Sequence, residues 1–207
     1  MIEYSDSAMT RALHLEVWFI AASLAIVAAC TRSAQDVAPV QAPNEPSVPA
    51  LRGKTDDVTV IVFGAVDCPI ANAYAPELTR IYAHCVERGA QMFYVYPADG
   101  TTVAAASEHT RSYKLQMPIV FDPRHEIVRA LGATVTPEAA VLRFHACDQY
   151  ELVYRGRIDD WYAGLGKRRA TASTHELEDA INAALEGRAP PVSRTEAFGC
   201  FIEKCDD

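Results

Sequence analysis

The chain has 207 residues, half of them hydrophobic, which is enough to bury one core of ordinary size. Its 27 acidic and 19 basic residues give a formal net charge of -8 at pH 7. Because a chain without surplus basic residues cannot neutralise many phosphates, this composition argues against nucleic-acid binding.

The first element is an apolar run, Val17–Ala29, that ends at Cys30. It is short for a membrane span, which needs about 20 residues. The string Val27–Cys30 resembles the lipobox of a bacterial lipoprotein signal. That resemblance implies that residues 1–29 are a signal peptide and that Cys30 is the lipidated first residue of the mature protein.

The residues before the apolar run are unusual for a signal, because Glu3, Asp6 and Glu16 outnumber the single Arg11. A start at Met9 would remove two of these acids. A plain membrane-anchoring helix and a cleaved signal without lipid are the alternatives. Each of them exports the domain, and the lipoprotein interpretation predicts a protein of the cell envelope, anchored to the membrane by lipid and facing the periplasm.

Residues 30–53 follow with four prolines and no periodic hydrophobicity. Such a composition is typical of a flexible tether. The remaining chain divides into a predicted domain, residues 54–187, and a predicted tail that contains cysteines, residues 188–207.

The β-branched run Val58–Phe63 predicts a buried strand, and apolar residues at helical spacing over 72–88 predict a helix that Gly89 ends. Thr136-Pro137 is a candidate cis peptide bond. The other predicted elements, in chain order, are a strand over 91–96, a helix over 103–114, a strand over 118–122, a helix over 126–131, strands over 138–144 and 150–154, and a last helix over 174–185.

Cys68 lies between the first strand and the helix after it, in the string Asp67-Cys68-Pro69. Proline suits the first turn of a helix, so Cys68 is predicted to cap that helix. The partial positive charge at a helix N-terminus favours the thiolate, which is the form that attacks disulfides and peroxides. Cys68 is therefore the candidate attacking thiol, and a buried, inert cysteine is the alternative.

Strand, helix, strand, helix, hairpin and closing helix is the order of the thioredoxin fold. The strings that carry a closer resemblance are Asp67-Cys68-Pro69, Tyr74-Ala75-Pro76-Glu77, Thr136-Pro137-Glu138, Tyr154–Asp160 and Gly199-Cys200. Together they resemble bacterial exported redoxin-domain proteins of the thioredoxin and peroxiredoxin branch. The resemblance implies an α/β, thioredoxin-like three-layer sandwich with a central mixed sheet and a redoxin-type insertion over 118–131. It also implies that Thr136 and Pro137 lie against Cys68 and shape substrate access.

The chain departs from both standard mechanisms of that branch. Ala71 stands where thioredoxins carry a second cysteine, and Ala65 and Ile61 stand where peroxiredoxins carry the threonine and proline that position the peroxide. A lone thiol needs another sulfur to resolve its mixed disulfide. We hypothesise that Cys200 supplies it, because an extended tail beyond Gly187 can span about 40 Å.

The other cysteines of the domain are poor partners. Cys85 and Cys147 are each expected about 25 Å from Cys68, from the rise per residue of the helix and strand that carry them. A structural bridge from Cys200 to Cys205 or to Cys147 is the alternative to the hypothesis.

Charged residues near Cys68 are candidates for tuning its pKa. Arg157 and Asp159 follow the last strand and should emerge on the Cys68 side, where a cationic arginine would favour the thiolate. Asp159 or Asp160 pairing with that arginine would cancel the effect. Asp67 and Glu77 are the nearest acids in sequence, and Asp67 would oppose ionisation unless it caps the helix or relays a proton.

These features predict an exported thiol-disulfide oxidoreductase or antioxidant redoxin. Its partners would be a thiol or disulfide protein, or a peroxide, and an external electron donor. The alternatives are a one-cysteine peroxidase and a non-catalytic thioredoxin-fold module that holds copper or a protein partner.

The chain has no Cys-x-x-Cys pair, no histidines at ligand spacing and no phosphate loop, so neither a metal nor another cofactor is predicted.

Overall fold

The computed structural model describes residues 47–52, 58–97, 100–145, 149–164 and 166–203. All of these residues belong to one unit, Val37–Asp207. The predicted signal peptide and Cys30 lie outside the described residues. In the described part of the chain, no helix combines the length and apolar character that crossing a membrane requires.

A short 3-10 helix, Val48–Leu51, comes before the main elements. These are β1 (Val58–Phe63), α1 (Pro69–Ala73), α2 (Ala75–Arg88), β2 (Gln91–Tyr96), α3 (Val103–Tyr113), β3 (Ile119–Phe121), α4 (Glu126–Leu131), β4 (Val135–Thr136), β5 (Glu138–Phe144), β6 (Tyr150–Gly156), β7 (Tyr162–Gly164), β8 (Lys167–Arg168), α5 (Glu176–Leu185) and β9 (Cys200–Phe201).

Five strands form a central mixed sheet in the order β3-β2-β1-β5-β6. Strand β1 lies in the middle, parallel to β2 and antiparallel to β5. All six residues of β1 are buried. A β-branched strand without polar alternation is expected where both faces of a sheet are covered, and the structure confirms this prediction.

Both faces of the sheet carry apolar clusters. One face packs against α2, α3 and α5, with a core that includes Val60, Val62, Leu78, Tyr94, Ala106, Leu177 and Ile181. The other packs against α4 and the 3-10 helix, with a core that includes Leu51, Ile61, Phe63, Val95, Ile127 and Leu131. Helix, sheet and helix layers with β3 and α4 inserted give the thioredoxin-like sandwich that the resemblance implied.

The predicted tether over 30–53 extends too far into the domain. Val48 and Leu51 are 3% and 4% exposed and belong to the second core cluster. Residues three apart share a face of a 3-10 helix, so both apolar side chains reach the sheet together. The Thr59 hydroxyl donates to the Leu51 carbonyl at 3.2 Å, which fastens this segment to β1.

The single helix predicted after Cys68 is divided into α1 and α2 at Tyr74. Pro76 lies in the first turn of α2 and has no N–H to continue the ladder of α1. The Tyr74 N–H still bonds the Ala71 carbonyl at 3.1 Å, so the two helices remain nearly continuous. Gly89 ends α2 at a positive φ of 80°, as its position predicted.

The predicted tail over 188–207 is packed on the domain as far as it is described. The Thr195 N–H donates to the Arg155 carbonyl at 3.1 Å, next to β6. Farther on, β9 pairs with β4, and the Ile202 N–H donates to the Thr134 carbonyl at 3.0 Å. The tail is therefore part of the fold around β4.

Glu138, the first residue of β5, holds the loop that contains β4. Its carboxylate accepts hydrogen bonds from the Thr134 N–H at 2.8 Å and the Val135 N–H at 3.4 Å. It also lies 3.2 Å from Nε of Arg155, and the two side chains are 5% and 14% exposed. A buried carboxylate with backbone and cationic partners is expected to be costly to remove.

We expect Glu138→Ala to lower the free energy of unfolding by about 3 to 5 kcal/mol, because it leaves the buried Arg155 guanidinium without its counter-ion. Urea unfolding followed by circular dichroism measures the loss. Glu151→Ala is the matched control, since its ion pair with Arg143 is half-exposed and should be worth less than about 1 kcal/mol. Equal losses in the two variants would contradict this account.

Candidate active site: the Cys68 thiol and the tail that covers it

Cys68 occupies the cap position of α1, as predicted. Its sulfur accepts a hydrogen bond from the Ala71 N–H at 3.4 Å, and its carbonyl accepts from the Asn72 N–H at 3.0 Å. Asp67 and Pro69 on either side are exposed, and Asp67 is not the cap. Ala71, which stands where thioredoxins carry a second cysteine, contributes its backbone N–H.

The Thr136-Pro137 peptide bond is cis, which confirms the prediction, and both residues are buried. The Cys68 thiol donates to the Thr136 carbonyl at 2.9 Å. The thiol thus lies directly against the cis-proline loop.

Cys200 reaches the same place from the tail. Strands β4 and β9 are antiparallel, and their register sets Thr136 opposite Cys200. Because the Cys68 thiol bonds the Thr136 carbonyl, Cys200 lies beside Cys68, and both cysteines are free thiols. Cys68 is 0% exposed, whereas Cys200 is exposed. The structure therefore brings together the two cysteines that the tail hypothesis paired.

Two glycines allow the tail to approach this closely. A Cβ on Gly199 would lie 1.9 Å from the Thr136 carbonyl oxygen. A Cβ on Gly156 would lie 2.1 Å from Oγ1 of Thr195, and Gly156 also has a φ of +153°. Backbone contact of this kind is possible only without a side chain.

Thr195 anchors the tail before it reaches the site. Its hydroxyl lies 2.7 Å from the Tyr154 hydroxyl and accepts from the Arg157 N–H at 3.0 Å. The Tyr154 hydroxyl in turn donates to the Arg157 carbonyl at 2.7 Å. Because this anchor lies five residues before Cys200, it limits how far Cys200 can move from Cys68.

The two thiols differ in acidity. Burial raises the pKa of Cys68, but hydrogen bonds from Cys200, from the Thr136 side chain and from the Ala71 N–H outweigh it and bring the pKa below the ordinary 9.0. Partial desolvation of the otherwise exposed Cys200 raises its pKa to about 11, helped by hydrogen bonding to Cys68 and by the negative charges of Cys68 and Asp67. The negative charge therefore belongs on Cys68 and the proton on Cys200.

Comparison with known proteins identifies the family. Residues 35–156 match the model of the AhpC/TSA family. The chain belongs to the AhpC/TSA family. The match ends before Cys200, so the tail that completes this site lies beyond the part of the chain that the family model covers. No curated protein matches the chain in sequence.

Solved structures resemble this AhpC/TSA protein at low sequence identity. An uncharacterised conserved protein from Geobacillus kaustophilus is 23% identical, with a TM-score of 0.61 over 74% of this chain and 80% of that chain. A hypothetical protein from Sinorhizobium meliloti is 21% identical, with a TM-score of 0.60 over 72% and 81%. A secreted disulfide oxidoreductase of Mycobacterium tuberculosis is a more distant neighbour, 17% identical with a TM-score of 0.41 over 67% and 84%. The first two likenesses concern the fold alone.

The arginines expected near Cys68 are bound to glutamates in this AhpC/TSA protein. Nε of Arg157 donates to Glu176 at 3.1 Å, and Arg155 pairs with Glu138. Arg157 was expected to lower the pKa of Cys68. Hydrogen bonds to the Cys68 sulfur lower it instead. Sequence reasoning missed both glutamates, because neither is close to its arginine along the chain.

Asp159 bonds a tyrosine rather than an arginine. It accepts from the Tyr74 hydroxyl at 2.6 Å and from the Trp161 N–H at 2.8 Å, which ties the segment after β6 to the junction of α1 and α2. Burial raises the pKa of Asp159, and the Tyr74 hydrogen bond opposes that rise. The role of Asp159 in this geometry is to position the helix that begins at Cys68.

Glu77, predicted to tune Cys68, lies instead in a surface ion-pair cluster. Arg80 bonds Glu77 at 2.7 Å and Glu178 at 2.6 Å. Together with His175, these two carboxylates form a group whose ligand atoms lie within 4.8 Å of one another. Since the Arg80 guanidinium already bonds both carboxylates, the group joins α2 to α5 as a salt bridge.

Cys85 differs from Cys68 in its environment. It is buried in α2, and burial together with the charge of Glu178 raises its pKa to about 12. A buried thiol with a raised pKa is unreactive. Cys85 is therefore a packing residue and a suitable control for Cys68.

We expect the two thiols of the site to ionise in separate steps, Cys68 below pH 9.0 and Cys200 near pH 11. The ultraviolet absorbance of thiolates measures both steps in a variant that carries serine at the other cysteines. Cys200→Ala removes hydrogen bonds to the Cys68 sulfur, so it should raise the Cys68 pKa by about one unit. A Cys68 pKa that stays unchanged in Cys200→Ala would show that the tail does not stabilise the thiolate.

Proposed function

We propose that this chain is a dithiol oxidoreductase in which Cys68 and Cys200 alternate between two thiols and one intramolecular disulfide. The placement of Cys200 beside Cys68 by the β4–β9 pairing carries this proposal. The acidic thiol is the buried one and the exposed thiol keeps its proton, an arrangement that suits an attacking sulfur and a resolving sulfur.

The reaction with a disulfide begins at Cys68. Its thiolate attacks one sulfur of the substrate disulfide, which forms a mixed disulfide and releases the other sulfur as a thiolate. The proton of Cys200 passes to a released thiolate, and the Cys200 sulfur then attacks Cys68 and frees the second substrate sulfur. One disulfide is reduced to two thiols while the Cys68–Cys200 disulfide forms.

The return reaction begins at the exposed end of the pair. A donor dithiol attacks the Cys200 sulfur, because Cys200 is exposed and Cys68 is not. Cys68 is then the leaving group, and a thiol of lower pKa leaves faster. A second thiol of the donor completes the exchange and leaves Cys68 and Cys200 reduced.

A peroxide is the second candidate substrate, and the complete burial of Cys68 favours it. A sulfur with 0% exposure is easier for a small oxidant to reach than for a protein disulfide. The Cys68 thiolate would attack the peroxide oxygen to give a sulfenic acid and an alcohol or water, and Cys200 would condense with it and release water. Because Cys200 lies beside Cys68 and can resolve its sulfenic acid, this geometry argues against a one-cysteine mechanism.

The location that we propose is the cell envelope, with the protein exported by residues 1–29 and held by lipid on Cys30. The lipobox-like string Val27–Cys30 supports this location. The acidic surface and the Pro-rich tether agree with a domain held away from the membrane.

We expect oxidation with a slight excess of a model disulfide to give a peptide pair that joins Cys68 to Cys200, detected by mass spectrometry. Cys68→Ser should abolish turnover, and Cys200→Ala should stop the reaction at the mixed disulfide with Cys68. Cys85→Ser, the control, should keep full activity because its thiol is buried with a raised pKa.

The same variants distinguish the two substrates. Turnover of a hydroperoxide at a higher kcat/KM than a protein disulfide would select the peroxidase. Cys200 joined only to Cys205 or Cys147, with Cys68 free after oxidation, would reject both mechanisms.

We expect Cys30→Ser to move the protein from the membrane fraction to the soluble fraction, because the lipid is attached through that sulfur. Immunoblotting of fractionated cells measures this, with Cys85→Ser as a variant that should stay in the membrane fraction. Cys30→Ser protein that remains in the membrane fraction would indicate an uncleaved anchoring helix instead.

A further inference from the structure

Tyr94 differs from the other buried tyrosines in the hydrogen bonding of its hydroxyl. Tyr94 is 1% exposed, and among the described residues its hydroxyl has no hydrogen-bond partner. Tyr74, Tyr96 and Tyr154 are buried too, and each of their hydroxyls is bonded at 2.7 Å or less. Since a buried polar group without a partner destabilises the fold, the hydroxyl of Tyr94 needs an explanation.

The hydroxyl lies beside the loop that carries Cys68. Tyr94 is opposite Val62 in the β1–β2 pairing, close to the end of β1. A Cβ on Gly64 would lie 1.9 Å from the Tyr94 oxygen, so the hydroxyl fills the space that this glycine leaves. The loop from Gly64 turns at once into Cys68, whose N–H donates to the Ala65 carbonyl at 3.3 Å.

Tyr94 and Cys68 also interact electrostatically. Burial raises the pKa of Tyr94 well above its usual value, and the negative charges of Tyr96 and Cys68 add to the rise. The hydroxyl is therefore neutral whenever Cys68 is ionised, and it keeps a proton that it can donate.

We propose that the Tyr94 O–H donates a hydrogen bond to the Cys68 sulfur when that sulfur is ionised. The protonated thiol has its own acceptor, the Thr136 carbonyl. When the proton leaves, the sulfur becomes a buried anion that needs more donors, and a nearby hydroxyl without another partner can move toward it without breaking a bond. This assignment rests on the proposed role of Cys68 as the attacking thiolate.

The polar side chains next to Tyr94 already form hydrogen bonds with one another. The Tyr96 hydroxyl lies 2.7 Å from Nδ1 of His109, and Nε2 of His109 lies 2.7 Å from Oδ1 of Asn72. Burial lowers the pKa of His109, so the ring is neutral, accepts from Tyr96 and donates to Asn72. Asn72 also donates to the Val66 carbonyl at 3.2 Å. This chain holds the loop of Cys68 in place without using the Tyr94 hydroxyl.

The other titratable groups that face Cys68 come from the tail and from its own loop. Cys200 lies beside Cys68 on β9, and Asp67 is its neighbour in sequence. A test of Tyr94 must therefore keep these groups unchanged or remove them in both members of a comparison.

The test compares Tyr94→Phe with Tyr96→Phe in protein that keeps Cys68 and Cys200 and has serine at the other cysteines. Each variant loses one hydroxyl from the same strand and keeps its ring. We expect Tyr94→Phe to raise the Cys68 pKa by about one unit, measured by thiolate absorbance, and so to cut the thiolate fraction at neutral pH up to about tenfold. We expect its resistance to urea to stay the same or to increase, because the hydroxyl it loses is unpartnered.

Tyr96→Phe should behave in the opposite way, with lower resistance to urea and an unchanged Cys68 pKa, because it breaks the bond to His109. The proposal is overturned if Tyr94→Phe leaves the Cys68 pKa unchanged. It is also overturned if both variants raise that pKa equally while losing stability, which would indicate a purely structural role.

The same pair in a Cys200→Ala background separates this proposal from the proposed function. The Cys68 pKa is measured there without any disulfide being formed. A shift in Tyr94→Phe that persists in this background supports the donor role even if Cys68 and Cys200 never pair, whereas loss of the shift there overturns it.

Discussion

The pairing of β9 with β4 is the contact on which the rest of the site depends. It involves two residues on each side, yet it places Cys200 beside Cys68, where Cys200 lowers the Cys68 pKa. Such a short pairing could not hold the tail by itself. Thr195 supports it from one side and Ile202 from the other, and Gly199 lets the two backbones meet without a side chain between them.

Among the described residues, hydrogen bonds rather than a neighbouring cation lower the pKa of Cys68. Arg155 and Arg157 have glutamate partners. The groups that lower the Cys68 pKa are the Cys200 and Thr136 side chains and backbone N–H groups. Hydrogen bonds inside a buried site are less sensitive to salt than charges at the surface. The separation of roles between an acidic inner thiol and a protonated outer thiol follows from this arrangement, because each thiolate would raise the pKa of the other.

Two kinds of buried tyrosine surround this chemistry. Tyr96 is part of a chain through His109 that fixes the loop of Cys68, and its hydroxyl contributes to stability. The Tyr94 hydroxyl contributes nothing of that kind in the thiol state. A protein that retains an unpartnered buried hydroxyl beside the loop of Cys68 accepts lower stability, which is the pattern expected when a group serves another state of the site.

The sequence alone determined the local features, because they depend on residues close together in the chain. The β-branched run predicted a buried strand, Pro69 after Cys68 predicted the helix cap, Gly89 predicted the end of α2, and Thr136-Pro137 predicted a cis bond. The length of the tail showed that Cys200 could reach the site. Only the tertiary structure decided three features. They are the register that pairs Cys200 with Thr136, the glutamate partners of the arginines and the missing hydrogen-bond partner of the Tyr94 hydroxyl. Those contacts join segments far apart in sequence, so they depend on how the sheet and the tail come together in space, which no short-range periodicity encodes.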